Sequence, residues 1–162
     1  MTDPIREAQR QWHVHGWSEA ADGMALIMSV VRSQQLLMER VDGALRPMDL
    51  TLARFEVLRL LEFVRSGSLP MTRLGSLLQV HPTSVTSAVA RLEKQGFVER
   101  RRGDDDRRVV RAVITDAGRE VLDRATKALN SQVFEKPGLA PEQVRDLTAR
   151  LTELRAGLGE DL

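Results

Sequence analysis

The fold is decided by residues 81–118, which read HPTSVTSAVARLEKQGFVERRRGDDDRRVVRAVITDAG. In the first half, a proline opens a run with apolar residues at three-and-four spacing, which predicts a short helix that ends at Gly96. In the second half, strand-favouring apolar runs flank a charged tip, which predicts a β-hairpin. The tip is surrounded by Arg100, Arg101, Arg102, Arg107, Arg108 and Arg111. Such a hairpin can lay cations along a phosphate backbone, so DNA binding is the hypothesis that the rest of the chain must support.

The composition limits the class of protein. With 162 residues, 42% hydrophobic and 29% charged, the chain suits one globular domain. The absence of cysteine excludes disulfides, thiolate nucleophiles and cysteine-ligated zinc. No run approaches 18 uncharged apolar residues, and the start MTDPIREAQRQ lacks the basic and apolar parts of a secretory signal. We therefore expect a cytoplasmic protein with no membrane partner.

The positive charge is local. Residues 91–111 hold eight Lys or Arg and five Asp or Glu, which makes this segment +3, whereas the whole chain is only +1. A charge run is usually a solvated helix or loop face, so composition alone does not establish a nucleic-acid interface. The spacing of the charged and apolar residues must decide.

Two helices are predicted before the segment that is the candidate for DNA binding. Asp3 and Pro4 are a plausible N-cap and first helical position for a short helix that runs toward Trp12. Gly16 then interrupts the chain. From Ser18 to about Arg46, apolar residues recur at three-and-four spacing, which predicts a long amphipathic helix.

A helix-turn-helix is predicted in the middle of the chain. Thr51 can cap a strongly apolar helix that stops near Ser66 and Gly67. A short helix over residues 72–79, a joint at residues 80–81 and the helix opened by Pro82 follow. This order is a helix-turn-helix pattern with the hairpin directly after it.

Two further helices are predicted after the hairpin. Thr115 caps the first, which ends before Pro137, and Pro141 opens the second. The second has apolar residues at spacings of 3, 4, 3 and 4, namely Val144, Leu147, Leu151, Leu154 and Leu158. Such a seam packs along another helix. That partner is either the chain's own domain or the first helices of a second copy.

The predicted helix opened by Pro82 has two distinct faces. Val85, Val89 and Leu92 fall within a narrow arc. The polar side holds Thr83, Ser84, Ser87, Arg91 and Lys94. Small hydroxyl residues let a backbone approach a groove closely, and arginine offers a fork for a guanine edge or a phosphate. Together with the turn and the hairpin, this face favours DNA contact over a solvated surface.

Residues from about 50 to 120 resemble the winged helix-turn-helix of the multiple-antibiotic-resistance regulator (MarR) family. The resemblance is carried by SVTSAVARLEKQGFVER at 84–100, by Asp106, Arg107 and Arg108, and by Val113, Ile114, Thr115 and Gly118. The three residues at 106–108 are similar to the family's D-x-R wing motif. The resemblance implies that Arg108 reaches toward the minor groove and that Asp106 helps to hold the wing.

The resemblance also implies an architecture. We expect a mainly α fold with a small β-wing, in which residues 47–115 form the DNA-binding lobe. Residues 1–46 and 116–162 are then the dimerisation helices. The implied function is that of a homodimeric transcriptional regulator that binds a pseudo-palindromic double-stranded DNA operator. Repression, with release by a small ligand, is the usual consequence in the family.

The N-terminal segment QWHVHGW, residues 11–17, resembles extensions of family members that respond to urate or small carboxylates. This resemblance suggests that Trp12, His15, Trp17 and Glu56 bind a small anionic or aromatic ligand. Ala88 falls where the urate-responsive members carry an arginine, which argues against urate itself. Alternatively, both tryptophans are anchors of the core or of a dimer interface.

Enzyme and metal chemistry find little support. The chain has no G-x-S-x-G, no phosphate-cradling glycine loop and no tyrosine, so we expect no catalytic residue and no cofactor. His13 and His15 lie about 200° apart on a helix and cannot share a metal. The remaining alternative is a winged-helix protein-interaction module without DNA function, which would lack the steep salt dependence of duplex binding.

Overall fold

The computed structural model describes residues 3–78, 82–103 and 108–161. The α-helices in these ranges are α1 (Pro4–Val14), α2 (Ser18–Leu45), α3 (Leu52–Phe63), α4 (Met71–Leu78), α5 (Pro82–Lys94), α6 (Asp116–Leu129) and α7 (Pro141–Gly157). The strands are β1 (Ser68–Pro70), β2 (Val98–Arg102) and β3 (Val110–Ile114). The predicted class, mainly α with a small β-wing, is confirmed. None of the described helices is long and apolar enough to cross a membrane.

The predicted helix boundaries follow local capping signals. The Asp3 side chain accepts a hydrogen bond from the Ile5 amide, 3.0 Å away, and so begins α1. Gly16, with φ of 81°, separates α1 from α2. Thr51 caps α3, but this helix ends at Phe63, three residues earlier than the sequence suggests. Val64 is already extended because the chain turns there toward β1.

The hairpin belongs to a three-stranded antiparallel sheet in the order β1-β3-β2. β2 and β3 pair from Val98 opposite Ile114 to Arg102 opposite Val110, which forms the wing. β1 pairs with the other edge of β3. The sequence does not predict β1, since three residues that end in proline carry no measurable alternation.

The core of the predicted winged lobe surrounds α3. Val57, Leu58 and Leu61 of this helix are fully buried, and Leu74 of α4 and Leu92 of α5 pack into the same cluster. Burial of each such leucine stabilises the fold by roughly 1.5–3 kcal/mol. The buried stripe of α5 therefore fixes which of its faces points to solvent.

The junction between β3 and α6 holds the wing against the lobe. The Thr115 hydroxyl accepts from the Gly118 amide at 3.0 Å and donates to the Gly96 carbonyl at 2.7 Å. The Thr115 amide donates to the Phe97 carbonyl at 3.1 Å. A Cβ at position 118 would overlap that carbonyl oxygen. Threonine followed three residues later by glycine is therefore a packing requirement of this junction.

The helices outside the lobe expose apolar side chains. On α2 these include Leu26, Ile27, Val30, Val31, Leu36 and Leu37; on α7 they are Leu147 and Leu151, and Leu158 follows directly after that helix. α7 buries none of its residues. Between α2 and α7 lies an open, mainly apolar cleft of about 490 Å³.

Candidate nucleic-acid interface

Helix α5 presents the predicted polar residues on one exposed face. Val85, Val89 and Leu92 are buried, with at most 2% of their surface exposed, and so fix the rotation of the helix. All five predicted polar side chains are exposed, namely Thr83, Ser84, Ser87, Arg91 and Lys94. The structure thus brings together all five residues that the sequence proposes on this helix. Their contacts with DNA stay a prediction.

An open cleft of about 590 Å³ runs between α5 and the start of α3. Its lining comprises Thr51, Ala53, Arg54, Thr83, Ser84, Ser87, Ala88 and Arg91. The sequence identifies Thr51 only as a helix cap and does not single out Arg54. The one available signal for Arg54 is its position three residues after that cap, which brings it to the helix terminus nearest α5.

Arg91 does not point freely into this cleft. Its Nη2 donates to Oδ2 of Asp49 at 3.0 Å, and the two side chains are 55% and 64% exposed. Asp49 lies before α3, 42 residues earlier in the chain. Sequence inspection has no signal for this contact, because neither residue belongs to a shared motif.

The wing arginines differ in what they contact. Arg111 donates to the hydroxyl and the carbonyl of Ser68, at 2.8 and 3.0 Å, and thereby ties β3 to β1. Arg100 lies 3.5 Å from Glu93 of α5, and Arg101 lies 2.6 Å from Glu99. Arg111 is therefore a structural residue of the sheet rather than one of several equivalent cations.

The arginines in the exposed ion pairs of the wing remain able to bind phosphates. An exposed ion pair contributes about 0–1 kcal/mol, so Arg100 and Arg101 can exchange their carboxylates for phosphates at little cost. Arg102 and Arg108 are exposed at the two ends of the tip. Asp106 and Arg107 lie outside the described residues, and so does His81 in the predicted turn.

The aromatic residues of the N-terminal segment form one cluster. The rings of Trp12 and Trp17 meet edge to face with centroids 5.5 Å apart, and His15 stacks on Trp17 at the same distance. Trp17 remains 55% exposed. His15 also bonds the Gln11 carbonyl through Nδ1, at 2.8 Å.

Glu56 lies on α3, and the described residues show no contact between it and this aromatic cluster. Glu56 is exposed, and partial desolvation by its surroundings raises the pKa of its carboxyl group above the ordinary value. Of the four residues proposed to bind a ligand, Trp12, His15 and Trp17 therefore contact one another. Glu56 lies apart from them within one protomer. No group of three His, Asp or Glu in the described ranges is arranged to hold a metal ion.

A second polar cluster, between α3 and α6, is absent from the sequence-based prediction. The guanidinium of Arg59 lies over the rings of Phe55 and Phe63, 5.6 and 5.4 Å from their centroids, and donates to Thr126. Beside it Arg119 pairs with Glu62. Both arginines bridge the two helices. The two arginines that line this small cleft of about 170 Å³ therefore already have partners within the protein.

Comparison with known proteins identifies the family. A model described as the MarR family matches residues 50–110. Sco5413 of Streptomyces coelicolor, a MarR family transcriptional regulator, is 42% identical, with 85% of this chain and 96% of that chain covered and a TM-score of 0.76. Sco3205 of the same organism, solved in complex with DNA, is 29% identical over 87% and 90% of the two chains, with a TM-score of 0.74.

A curated relative supports the same family. The HTH-type transcriptional regulator YhbI of Bacillus subtilis is 29% identical over 136 residues, which is 82% of this chain and 85% of the relative. A match of 136 residues extends well beyond the winged lobe of residues 47–115. The chain therefore belongs to the MarR family of transcriptional regulators.

Proposed function

We propose that this DNA-binding transcriptional regulator acts in the cytoplasm as a homodimer on a pseudo-palindromic operator. Each protomer places α5 in a major groove and the β2–β3 wing against the neighbouring minor groove. The observation that carries the proposal is the exposed polar face of α5, which lines one cleft with the start of α3. Arg100 of the wing reaches the Thr86 carbonyl of α5 at 3.4 Å, so the wing and the helix present one surface.

Each proposed contact residue has a distinct role. The contacts are Thr83, Ser84, Ser87, Arg91 and Lys94 on α5, with Asp106, Arg107 and Arg108 in the wing. The hydroxyl residues allow close approach to the groove, and Arg91 offers a fork to a base edge or a phosphate. Arg108 reads minor-groove width and negative potential more than base identity. Asp106 braces the wing.

The dimer is supported by the apolar side chains that one protomer leaves uncovered on α2 and α7. Exposed leucine and valine patches of this kind mark protein interfaces. We assign residues 1–46 and 116–162 to dimerisation and residues 47–115 to DNA binding. Two-fold symmetry then places the two α5 helices about 34 Å apart, one turn of the duplex.

A dimer that is bound over a promoter represses transcription because it blocks access of the polymerase. A small anionic or aromatic ligand that favours a different separation of the two lobes would release the DNA. The stacked rings of Trp12, His15 and Trp17 support such a ligand in the N-terminal region, because they offer flat apolar surface beside an ionisable imidazole. Glu56 is the proposed acidic residue of this site.

The protein-interaction alternative is not favoured, because the family and its relatives are transcriptional regulators and Sco3205 is solved with DNA. The family and the relatives found by these comparisons are transcriptional regulators, not enzymes.

Fluorescence anisotropy tests the proposal. A labelled duplex from upstream of the protein's own gene is compared with a scrambled duplex across a salt series. We expect sequence-preferring binding of two protomers per site, with a log-log salt slope of about −0.9 for each phosphate neutralised. A weak interaction with neither preference nor salt slope would contradict it. The same assay then screens small carboxylates and aromatic acids for release.

A further inference from the structure

Asp49 lies at the junction between the dimerisation helices and the DNA-binding lobe. It follows the short 3-10 turn Arg46–Met48 that ends α2, and it precedes the N-cap of α3. Its φ is 50° and its ψ is 40°, the left-handed region. Among the described residues it is the one non-glycine residue with positive φ. Side chains disfavour this backbone, although Asp and Asn tolerate it best, so the surrounding contacts must hold it.

Those contacts tie Asp49 to the end of α5. Its carboxylate oxygen Oδ2 accepts from Arg91 Nη2 and from Gln95 Nε2, each at 3.0 Å. Its backbone carbonyl accepts from Gln95 Nε2 at 2.9 Å and from Arg54 Nη1 at 2.7 Å. Arg54 also donates to Gln95 Oε1 at 3.2 Å, which closes the network. Two parts of the chain about 40 residues apart, residues 49–54 and 91–95, thus meet at Asp49.

The network has a division between buried and exposed parts. The Arg54 side chain is only 12% exposed, so its bonds to the Asp49 carbonyl hold the turn. The Arg91 and Asp49 side chains are 55% and 64% exposed, and Arg91 lines the cleft of the proposed DNA surface. The turn therefore keeps backbone support that does not use the carboxylate. The carboxylate pairs with Arg91, accepts from Gln95 and lies 3.9 Å from Arg54.

A carboxylate in this place opposes indiscriminate DNA binding. An untethered guanidinium beside a duplex pairs with any phosphate, whatever the sequence. With Nη2 bonded to Asp49, the remaining N–H groups of Arg91 keep one direction and fit only acceptors that lie along it.

We propose that Asp49 is a specificity-determining, positioning residue: it withholds Arg91 from the phosphate backbone and so raises the ratio of operator binding to non-specific binding. This inference rests on the proposed function, because it requires that the α5 face meets DNA. It predicts that loss of the carboxylate strengthens binding to unrelated duplexes, whereas loss of an ordinary structural brace would weaken all binding.

The test compares five variants with the wild type on operator and on scrambled duplex across a salt series. Asp49→Gly removes the carboxylate and suits the left-handed backbone, and the carbonyl bonds remain possible. Asp49→Asn keeps an acceptor but removes the charge. Arg91→Ala and the double variant Asp49→Gly/Arg91→Ala ask whether the effect passes through Arg91. Asp123→Asn, which removes an equally exposed carboxylate from its pair with Lys127 on α6, controls for net charge.

We expect Asp49→Gly to bind scrambled duplex about threefold to fivefold more tightly, the range of an exposed charge pair. Its salt slope on that duplex should steepen by about 0.9, the contribution of one more neutralised phosphate. The operator-to-scrambled ratio should fall by the same factor, with Asp49→Asn intermediate. In the Arg91→Ala background the glycine substitution should change neither quantity.

Three results would overturn the inference: an unchanged slope and ratio in both Asp49 variants, the same gain in Asp123→Asn, or a gain that persists without Arg91. Thermal unfolding checks that each variant is folded, and Asp49→Asn provides the comparison if Asp49→Gly is not. A wild type that binds neither duplex, with no salt dependence, would instead refute the proposed function, and this inference with it. The wild-type titration separates the two failures.

Discussion

Gly118 occupies the tightest backbone contact at the root of the wing, and its replacement by alanine is a sharp test of the fold. A Cβ at this position would overlap the carbonyl oxygen of Phe97 and crowd Ile114. Neither neighbour can yield easily. The Phe97 carbonyl accepts the Thr115 amide, and Ile114 is a buried residue of β3. The chain around residue 97 or the first turn of α6 must therefore move.

The magnitude follows from the contacts that this movement disturbs. Overpacking in a close-packed site costs about 1–3 kcal/mol. Weakening of the Thr115 to Phe97 and Gly118 to Thr115 hydrogen bonds adds up to about 1 kcal/mol each. Alanine returns at most about 1 kcal/mol through its better helix propensity. We expect Gly118→Ala to lower the free energy of unfolding by about 2–4 kcal/mol.

Gly43→Ala on α2 is the matched control, because a Cβ there meets nothing within 4 Å. It should stabilise the protein by about 0.5–1 kcal/mol, the ordinary helix preference. The assay is thermal and urea unfolding at one fixed protein concentration, since a dimer's Tm depends on concentration. At about 2–4 °C for each kcal/mol, Gly118→Ala should lower Tm by roughly 5–15 °C. Stability within about 0.5 kcal/mol of the wild type would refute the packing argument.

Three further outcomes are expected. Arg108→Ala should weaken operator binding about tenfold without unfolding the protein, and unchanged affinity would remove the wing from the DNA interface. Leu151→Glu should shift the dimer toward monomer in sedimentation, whereas Leu77→Glu, which alters a comparably exposed leucine on α4, should not; a persistent dimer would place the interface elsewhere. Glu56→Gln should raise Tm at neutral pH, because partial desolvation raises the carboxyl pKa and the ionised form destabilises the native state. That advantage should disappear as the pH falls below the ordinary pKa of 4.5, where the wild-type carboxyl is protonated in both states, and an advantage independent of pH would show another cause.

The sequence by itself determined the features that depend on a few neighbouring residues. Asp3, Thr51 and Thr115 mark helix starts because a cap bonds an amide two or three residues away. The buried stripe of α5 follows from its period of apolar residues, and that stripe leaves the polar face outward. Joined to the predicted turn before this helix and the arginine-rich hairpin after it, that polar face predicts a winged helix-turn-helix and favours DNA binding.

Only the tertiary structure decided which side chains are engaged, since their partners lie far away in the chain. Arg111 is 43 residues from Ser68, and Arg91 is 42 residues from Asp49. No local pattern distinguishes these arginines from Arg102, because charge and periodicity are the same for a cation in a network and one facing solvent. β1 is too short for its own signal and exists through its pairing with β3. Local propensities thus determined the helices and strands. Long-range packing determined which charged side chains on them remain available for the proposed contacts with DNA.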